Sequence, residues 1–502
     1  MTTRAGRLVA GITLASLSLW PCGDAPPERY LEEIKYLSSK SLKGRASGSE
    51  GLERAAHHIE SVFRKAGLRP LEGRSYLQPF AISVKSELGT GNRLSFTLND
   101  KQTELRSADD LLPFGFSAKA SVKGEVAFVG YGITAPEYNY DDYAGLDVHG
   151  KLVIVLRHEP QEFDGASVFE GRVYSEHAQL FSKALNARAH GAIGVLYVND
   201  TANHSTDKLE KFVSLPGPAD AGIPFVQVAS THVEKWLIEA HENFRAIQEE
   251  IDRTLKPHSF ALPSSFIVEL CADVRHEAKN VYNVVGYLPG ATDDYVIVGA
   301  HYDHLGLGEQ YSLAPDKIGT IHPGADDNAS GVAAVMELAR RFACGPRPIR
   351  GIVFIAFAGE ELGLLGSSYF VNHPLLPLNH ASVMINMDMI GRIHENKVMI
   401  GGAPEGSNFR RTLEALGGKY GLDLDLSDTS VYGSSDHTSF KAKRVPTLFF
   451  FTGLHGDYHR PTDTWDKIEV AGTSKLLHLI GDLLSTLTTP KRTQLAALRP
   501  TP

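Results

Sequence analysis

Cysteine is scarce in this chain. Its 502 residues include only three cysteines, Cys22, Cys271 and Cys344, and these lie far apart in the sequence. A disulfide framework and a cysteine-based zinc site both need more cysteines, at closer and more regular spacing. Any metal ion held by this protein should therefore bind to histidine and carboxylate side chains.

Clustered positive charge is also lacking. The formal net charge is -9, and no long run of Lys and Arg interrupts the sequence. Binding to nucleic acid depends on clustered Lys and Arg that neutralise phosphates. Composition therefore argues against a nucleic-acid partner.

Long apolar runs are confined to the N-terminus. Arg4 and Arg7 precede an apolar stretch, Leu8–Leu19, that is too short to span a bilayer. This pattern predicts a signal peptide over residues 1–23 and export to the periplasm or the medium. Cys22 follows a loose match to a lipid-attachment signal, but the residues before it are bulky, so ordinary cleavage is favoured. No other stretch predicts a membrane span.

The composition is that of a globular protein, with 42% hydrophobic and 22% charged residues. A chain of this length has room for two or three domains. The segment from Pro27 to Pro70 has helical spacing of apolar residues and stops at Gly67. Between about Glu125 and Ala229, short predicted strands surround one helical stretch and form a compact unit.

From Asn280 onward, apolar runs rich in β-branched and aromatic residues alternate with helical stretches. The predicted strands are Tyr295–Ala300, Gly351–Phe357, Ser382–Met387 and Thr447–Phe451. Nearly continuous apolar strands that alternate with helices indicate a largely parallel sheet covered on both faces. The predicted fold class is therefore α/β, with a mostly parallel mixed sheet between helices and a smaller β-rich α+β insert.

Candidate metal ligands follow these strands. In an open α/β sheet, ligands gather where the carboxyl ends of the strands meet. His301-Tyr302-Asp303-His304, Glu360-Glu361 and Asp388 each come after a predicted strand, His459 follows the last one, and Asp326-Asp327-Asn328 is expected to start a helix. A lone strand-end Asp is usually a helix cap and a lone His is usually a structural or surface group. The joint pattern is more specific than any of its members.

Glu360 and Glu361 are adjacent acids after an apolar strand. Such neighbours repel each other unless one is protonated or faces a cation. A bound metal ion removes the conflict. With imidazole and carboxylate ligands and no thiolate, zinc is the expected ion, although manganese and cobalt accept the same ligand types.

Five ordered motifs carry a resemblance to a known family. They are His301-Tyr302-Asp303, Gly324-Ala325-Asp326-Asp327-Asn328-Ala329-Ser330-Gly331, the run from Ala358 to Ser367, Asn386-Met387-Asp388 and Ser435-Asp436-His437. Together they resemble the two-zinc aminopeptidases, a family that includes glutamate carboxypeptidase, glutaminyl cyclase and transferrin receptor branches. The unit from about Leu105 to Pro263 resembles the protease-associated insert of some members. The expected organisation is catalytic domain over 26–104 and 264–488, insert over 105–263 and tail over 489–502.

The resemblance implies a set of metal ligands. His301, Asp327 and Asp388 would hold one zinc ion, and Asp327, Glu361 and His459 the other, with Asp327 bridging. Asp327 is preferred to Asp326 because the family's ligand directly precedes the asparagine. The position of His304 has no role in this scheme.

The resemblance also implies catalytic roles. Glu360 would act as general base, taking a proton from the attacking water and passing it to the leaving amine. Asp303 would hydrogen-bond the far nitrogen of His301. Tyr432 would stabilise the tetrahedral oxyanion, although a packed aromatic side chain explains it nearly as well.

The expected function is hydrolysis of the N-terminal peptide bond of peptides by a metallo-aminopeptidase. A carboxypeptidase or dipeptidase of the same family would share all five ligands, and a glutaminyl cyclase would use one zinc ion. A non-enzymatic binding module should have lost ligands or Glu360, and none is lost. The sequence contains no His-Glu-x-x-His motif, no Gly-x-Ser-x-Gly motif and no phosphate-binding Gly-x-x-x-x-Gly-Lys loop that continues with Ser or Thr.

Overall fold

The computed structural model describes residues 27–489, apart from residues 72, 74, 99, 100, 107, 170, 172, 173, 205, 207, 215, 219 and 428–434. The predicted signal peptide, Cys22, Tyr432 and nearly all of the predicted tail lie outside the described residues. Within the described part, no helix is both long enough and apolar enough to cross a membrane. The α-helices there are α1 (Pro27–Leu37), α2 (Glu50–Ala66), α3 (Leu180–Ala189), α4 (Ser230–Glu239), α5 (Phe244–Thr254), α6 (Gly331–Ala343), α7 (Leu365–Asn372), α8 (Asn408–Tyr420), α9 (His437–Ala442) and α10 (Val470–Thr488).

The strands divide between two large sheets and one short hairpin. In chain order they are β1 (Leu77–Leu88), β2 (Arg93–Leu98), β3 (Lys101–Leu105), β4 (Leu111–Pro113), β5 (Ala120–Val129), β6 (Thr134–Ala135), β7 (Tyr140–Asp141), β8 (Leu152–Leu156), β9 (Gly194–Val198), β10 (Gly217–Pro218), β11 (Phe225–Val228), β12 (Ser259–Ala261), β13 (Ile267–Ala272), β14 (Val274–Leu288), β15 (Tyr295–His301), β16 (Gly351–Phe357), β17 (Ala381–Met387), β18 (Lys397–Gly401), β19 (Asp423–Asp425) and β20 (Thr447–Phe451).

The first sheet has the order β10-β1-β14-β16-β15-β17-β20-β18-β19. Its central strands β16, β15, β17 and β20 run parallel, whereas β14 and β18 join them antiparallel. Both β15 and β16 are buried along their whole length, as expected for strands covered on both faces. The predicted mixed α/β sheet is confirmed.

Helices cover this sheet on both faces because its apolar side chains alternate between them. On one face, Val296 and Val298 of β15 pack in a core with α1, α2, α6 and α10. On the other face, Ile297 packs in a core with Phe370 of α7 and Phe440 of α9. The central strands are thus fixed from both sides, which holds their carboxyl ends rigidly.

The N-terminal segment folds as two helices with a tight turn between them. Helix α2 begins after Ser49, whose side chain accepts a hydrogen bond from the Leu52 amide at 3.2 Å. It ends at Gly67, whose φ of 83° is the left-handed conformation that glycine adopts most readily. A 3₁₀ turn, Lys40–Arg45, separates α1 from α2 and carries Arg45 into the interior.

The second sheet, ordered β3-β2-β13-β5-β8-β9-β11-β4, forms the insert. Its boundaries differ from the predicted 105–263, because β2 and β13 already belong to it. Strands β1 and β14 are long antiparallel neighbours that remain paired out to Leu88 and Val274. Apart from the two-residue strand β10, which pairs with β1, the chain therefore leaves the first sheet after Leu88 and returns at Asp273. The main-chain oxygen of Asp273 accepts a hydrogen bond from the Gly89 amide.

The start of helix α6 also differs from the prediction. The sequence places a helix start at Asp326-Asp327-Asn328, but α6 begins at Gly331, after a wide turn over Ala325–Ser330. Asp327 and Asn328 have non-helical backbone angles within this turn. The prediction was wrong by one turn. The amides of Asp326 and Asp327 bond to the Asp463 carboxylate, and Asn328 Oδ1 accepts a hydrogen bond from the Gly331 amide, where α6 begins.

Candidate metal centre

The candidate ligands lie at the carboxyl ends of the four parallel strands. His301 is the last residue of β15, and Asp388 directly follows β17. Glu360 and Glu361 follow β16 after a short turn, and His459 lies in the loop after β20. The rigid edge of a buried sheet thus brings residues far apart in sequence into one cluster.

Two groups of side chains share Asp327. His301 Nε2 lies 3.3 Å from Asp327 Oδ1 and 3.4 Å from Asp388 Oδ1. His459 Nε2 lies 3.3 Å from Asp327 Oδ2 and 3.1 Å from Glu361 Oε2. Tetrahedral zinc with bonds of about 2.0–2.1 Å holds its ligand atoms about 3.3 Å apart. In each group the imidazole nitrogen therefore lies at the spacing of zinc ligands from both carboxylates, and Asp327 presents one oxygen to each.

The far nitrogens of the two histidines meet main-chain carbonyls. His459 Nδ1 lies 2.8 Å from the Tyr311 oxygen, and His301 Nδ1 lies 3.3 Å from the Asp303 main-chain oxygen. A hydrogen bond donated to a carbonyl places the proton on Nδ1 and leaves Nε2 free to bind a metal. Both imidazoles are therefore oriented as ligands.

Asp303 contacts the cluster differently from the prediction. Its Oδ1 lies 3.8 Å from His301 Nδ1, too far for a hydrogen bond. Its carboxylate accepts hydrogen bonds from the Glu360 amide at 3.1 Å and from Ser47 Oγ at 3.0 Å. Asp303 thus supports the backbone of the Glu360 loop, while its main-chain oxygen orients His301.

His304, which the sequence left without a role, lies inside the cluster. Its side chain is buried, and Nδ1 lies 2.7 Å from Glu361 Oε1 and 3.7 Å from Asp327 Oδ2. It can donate a hydrogen bond to Glu361 or add a nitrogen ligand beside His459. Its position three residues after His301, on the loop that leaves the same strand, is the signal that sequence reasoning could have used.

Asp326 and Asp327 face opposite ways. The carboxylate of Asp326 accepts a hydrogen bond from the Gly391 amide at 2.6 Å and lies 3.1 Å from His455 Nε2. Its role is therefore to hold loops together, and Asp327 alone of the two faces His301 and His459.

Two further residues support the cluster and were missed by sequence reasoning. The Asp463 carboxylate accepts hydrogen bonds from the amides of Asp326 and Asp327. Arg45 is fully buried and donates to the main-chain oxygens of Tyr302, Leu37, Pro323 and Gly324. No sequence motif predicts these contacts, because both residues hydrogen-bond to main-chain groups of segments that are distant in sequence.

Negative charge accumulates around this cluster. Its carboxylates, all buried or nearly so, are Asp303, Asp326, Asp327, Glu360, Glu361, Asp388, Asp436 and Asp463. Arg45 is the nearby permanent cation among the described residues, and its guanidinium bonds to carbonyls. Asp388 Oδ1 is buried without a hydrogen-bond partner. Buried carboxylates in this number need cations, so the donor set fits two divalent metal ions.

Without metal, protons partly neutralise this charge. Burial raises the pKa of Asp303 to about 6, although the charge of His301 opposes the shift. Burial also raises the pKa of Asp463 to about 6, and Asp326 adds to the shift. Although burial disfavours a charged imidazole, contacts with Asp327 and Glu361 raise the pKa of His459 to about 11. Metal ions that bind here must displace such protons.

Glu360 lies at the edge of the cluster without completing either ligand group. Its Oε2 is 3.8 Å from His301 Nε2, and its side chain is 13% exposed. Burial raises its pKa well above the usual range, and the charges of Asp388 and Glu361 reinforce this against His301. A carboxyl group that lies beside a metal site without being a ligand can accept and return a proton.

A buried set of imidazole and carboxylate groups at the carboxyl edge of a mixed α/β sheet is the arrangement of a metal-dependent hydrolase. Residues 283–484 match peptidase family M28, and residues 115–236 match the PA domain. The match to peptidase family M28 covers the segment with the metal centre, and the match to the PA domain precedes it. The resemblance to zinc exopeptidases with a protease-associated insert, inferred from the sequence, is thereby confirmed.

Proteins of similar sequence from two bacteria and one fungus agree with these family matches. Aminopeptidase YwaD of Bacillus subtilis is 27% identical over 379 residues, which cover 70% of this chain and 66% of that protein. An aminopeptidase of Pseudomonas aeruginosa is 24% identical over 85% of this chain and 70% of its own length. The match to a probable leucine aminopeptidase 2 of Aspergillus oryzae, 29% identical, spans 38% of each chain.

Among solved structures, an aminopeptidase from Aneurinibacillus sp. strain AM-1 is similar to this chain. The two share 22% identity, with a TM-score of 0.49 over 95% of this chain and 96% of that one.

Proposed function

We propose that this protein is an exported aminopeptidase that uses two zinc ions. The observation that carries the proposal is the division of Asp327, whose two oxygens face His301 and His459 at 3.3 Å each. A carboxylate placed in this way suits a bridge between two ions. The relatives named as aminopeptidases support the choice of reaction.

In this proposal His301, Asp327 and Asp388 hold one ion, and Asp327, Glu361 and His459 hold the other. Two bound zinc ions would supply Lewis-acid activation of a water molecule and of the scissile carbonyl. His304, 2.7 Å from Glu361, positions that carboxylate. Asp303 positions Glu360 through the hydrogen bond that it accepts from the Glu360 amide.

Glu360 is the proposed general base. Its carboxylate takes the proton of the attacking water and delivers it to the leaving amine of the product. The position of Glu360 suits both transfers, because its carboxylate lies 3.8 Å from His301 Nε2 and belongs to neither ligand group. Tyr432, proposed from the sequence as the oxyanion donor, lies outside the described residues.

The negative charge at the exposed edge of the cluster determines which end of a peptide substrate it attracts. Glu360 and Asp388 are the most exposed carboxylates of the cluster, with side chains 13% and 11% exposed. A peptide's protonated amino terminus is attracted to such an edge, whereas a C-terminal carboxylate is repelled. This favours an aminopeptidase over a carboxypeptidase.

Exchange of Asp327 for Asn tests the two-ion assignment. Zinc content should fall by two ions per chain relative to wild type, because the bridge serves both sites, and peptidase activity should be lost. Asp316→Asn, in an exposed turn of the same region, should leave both unchanged. A loss of only one ion would contradict the bridging role and favour a single-zinc enzyme.

Export rests on the basic and apolar pattern of residues 1–23. N-terminal sequencing of the protein recovered from the medium or periplasm should begin after this segment. Recovery only from the cytoplasm with the segment intact would contradict export.

A further inference from the structure

A second group of metal-type ligands lies in the PA domain. His158, Glu162 and His204 present one ligand atom each, all within 4.8 Å of one another. They share no residue with the metal centre around Asp327, and they lie in loops that follow strands of the second sheet. We propose that these three residues bind a zinc ion, giving the protein a third metal site in its insert.

The placement of the group follows the same rule as the catalytic site. Strands β5, β8, β9 and β11 of the PA domain are parallel neighbours. His158 lies two residues after β8, and His204 lies in the loop after β9. The group therefore sits at the carboxyl ends of adjacent parallel strands, where loops converge over a rigid sheet.

The nitrogen and oxygen atoms converge on one point. His204 Nε2 lies 3.2 Å from His158 Nδ1 and 2.6 Å from Glu162 Oε1, and His158 Nδ1 contacts Glu162 Oε2. Ligand atoms on tetrahedral zinc are about 3.3 Å apart, so the imidazoles already have that spacing. The carboxylate would move outward by less than about 1 Å to give zinc bonds of normal length.

The carboxylate at the centre is buried and not fully satisfied by hydrogen bonds. Glu162 has a fully buried side chain, and its Oε1 lacks a well-aligned hydrogen bond despite the short approach of His204. A buried carboxylate between two imidazoles is a metal-ligand set without thiolates.

The loops that carry the ligands are held in place. Asp200 accepts hydrogen bonds from the amides of Ala202 and Asn203 at 3.0 Å, which shapes the turn leading to His204. The Gln161 amide donates to Asp252 at 3.1 Å, which fixes the turn between His158 and Glu162. Ligands on preformed loops lose little freedom when the ion binds.

The site has an open side and two competing contacts, from Tyr174 and from Arg157. The Tyr174 hydroxyl lies 3.1 Å from His158 Nδ1 and donates to Glu162 Oε2 at 3.3 Å, so it must turn aside when zinc binds. The His204 side chain is 26% exposed, so a water molecule can complete the coordination. Arg157 Nε donates to His158 Nε2 at 3.0 Å, whereas zinc on Nδ1 requires a proton on Nε2. Arg157 also contacts Asn199 and Glu210, and it must turn fully to these partners when zinc binds.

Zinc content and zinc titration of the full chain test the proposal. Wild type, Glu162→Gln and His204→Asn would be loaded with Zn²⁺, freed of excess ion, and compared by mass-spectrometric metal analysis. The expected result is one ion fewer per chain in both variants than in wild type. His258→Asn is the matched control in the same domain, since His258 faces Glu242 and Glu250 at 3.8 and 3.4 Å, and it should keep the wild-type content.

Zinc content is compared between wild type and variant. The number of zinc ions bound at the metal centre around Asp327 therefore does not affect the result. Glu162→Gln keeps the side-chain shape, and circular dichroism together with peptidase activity would verify that each variant folds. Equal zinc content and equal titration curves in wild type and in both folded variants would overturn the proposal. A loss in His258→Asn as large as in the two variants would overturn it as well.

Discussion

Asp326 and Asp327 are adjacent identical residues with different tasks. The extended backbone of Asp327, with φ of −104° and ψ of 97°, turns its carboxylate toward His301 and His459. Asp326 faces Gly391 and His455 and holds two loops. The sequence pattern predicted the choice of Asp327 through the resemblance, and the backbone of the turn supplies its physical reason.

Replacement of Glu360 by Gln should abolish turnover while zinc stays bound. Glutamine cannot accept the proton from water, and loss of a general base costs about 10²–10⁴-fold in kcat. Steady-state kinetics with an aminoacyl substrate and metal analysis would measure both effects. Exposed Glu309→Gln, from the loop after β15, is the control and should behave as wild type. A Glu360→Gln enzyme with full activity would contradict the assignment of the base.

Much of the candidate site could be predicted residue by residue. The five ligands and Glu360 each follow a strand or begin a motif, so their chemistry is visible in the sequence. Arg45 and Asp463 could not be found in this way, because their partners are backbone groups of distant segments. The hydrogen bonds of Asp303 depend on the loop geometry of Glu360, which no spacing in the sequence gives.

Among the elements, the turn before α6 depends on close packing at Gly324. This residue has φ of 58°, and a Cβ placed there would lie 2.5 Å from His304 Cδ2 and 2.1 Å from the Asp327 main-chain oxygen. A side chain would therefore push His304 away from Glu361 and strain the turn.

Gly324→Ala should weaken zinc binding and destabilise the protein by roughly 1–3 kcal/mol. Zinc titration and thermal unfolding would measure the two effects. Gly319→Ala is a matched control, since Gly319 has φ of 88° but meets nothing within 4 Å of an added Cβ. If both variants lost the same zinc affinity, backbone strain alone would explain the loss and the contact with His304 would have no part in it.

The central strands were predictable because a buried parallel strand needs an unbroken apolar run. The runs Gly351–Phe357 and Thr447–Phe451 were predicted with the bounds that the structure has. The insert boundaries differ because β1 and β14 are long, half-exposed strands with polar residues, such as the stretch around Lys279. β1 and β14 pair although nearly two hundred residues separate them in the sequence. The hydrophobic pattern within each strand does not reveal such a distant partner.

For the whole molecule, metal removal should make stability depend on pH. In the metal-free protein, burial raises the pKa values of Asp303 and Asp463 to about 6. Between the unfolded value near 3.8 and this raised value, the folded state holds more protons than the unfolded state, so stability falls as pH rises. Asp327 and Glu361 have lowered pKa values and act in the opposite direction, so the contribution of Asp303 is measured as a difference between variants. The melting temperature of chelated wild type minus that of chelated Asp303→Asn should decrease from pH 4 to 7.

Zinc-loaded protein should show a smaller decrease over the same range, because the ions replace the protons as neutralising charge. Differential scanning calorimetry of both forms at several pH values would measure this. A difference between chelated wild type and chelated Asp303→Asn that rises between pH 4 and 7 would contradict the raised pKa of Asp303.

The insert should narrow access to the metal centre. Gln310, on the loop whose Tyr311 oxygen orients His459, donates a hydrogen bond to the Pro216 oxygen of the insert at 3.1 Å. Replacing residues 89–273 by an Asn-Gly turn would close β1 and β14 into a hairpin. The expected result is faster cleavage of long peptides relative to dipeptides. An unchanged ratio in a variant that folds and binds zinc would contradict the gating role.

Cleavage of one peptide in two forms tests the central claim most directly. The zinc-loaded enzyme would be incubated with a peptide that has a free amino terminus and with the same peptide acetylated there, and products would be identified by mass spectrometry. We expect release of the first residue from the free form alone, because the cationic amino group is held by the carboxylates beside the metal centre. Cleavage of the acetylated form at a similar rate, or removal of residues from the C-terminus, would contradict it.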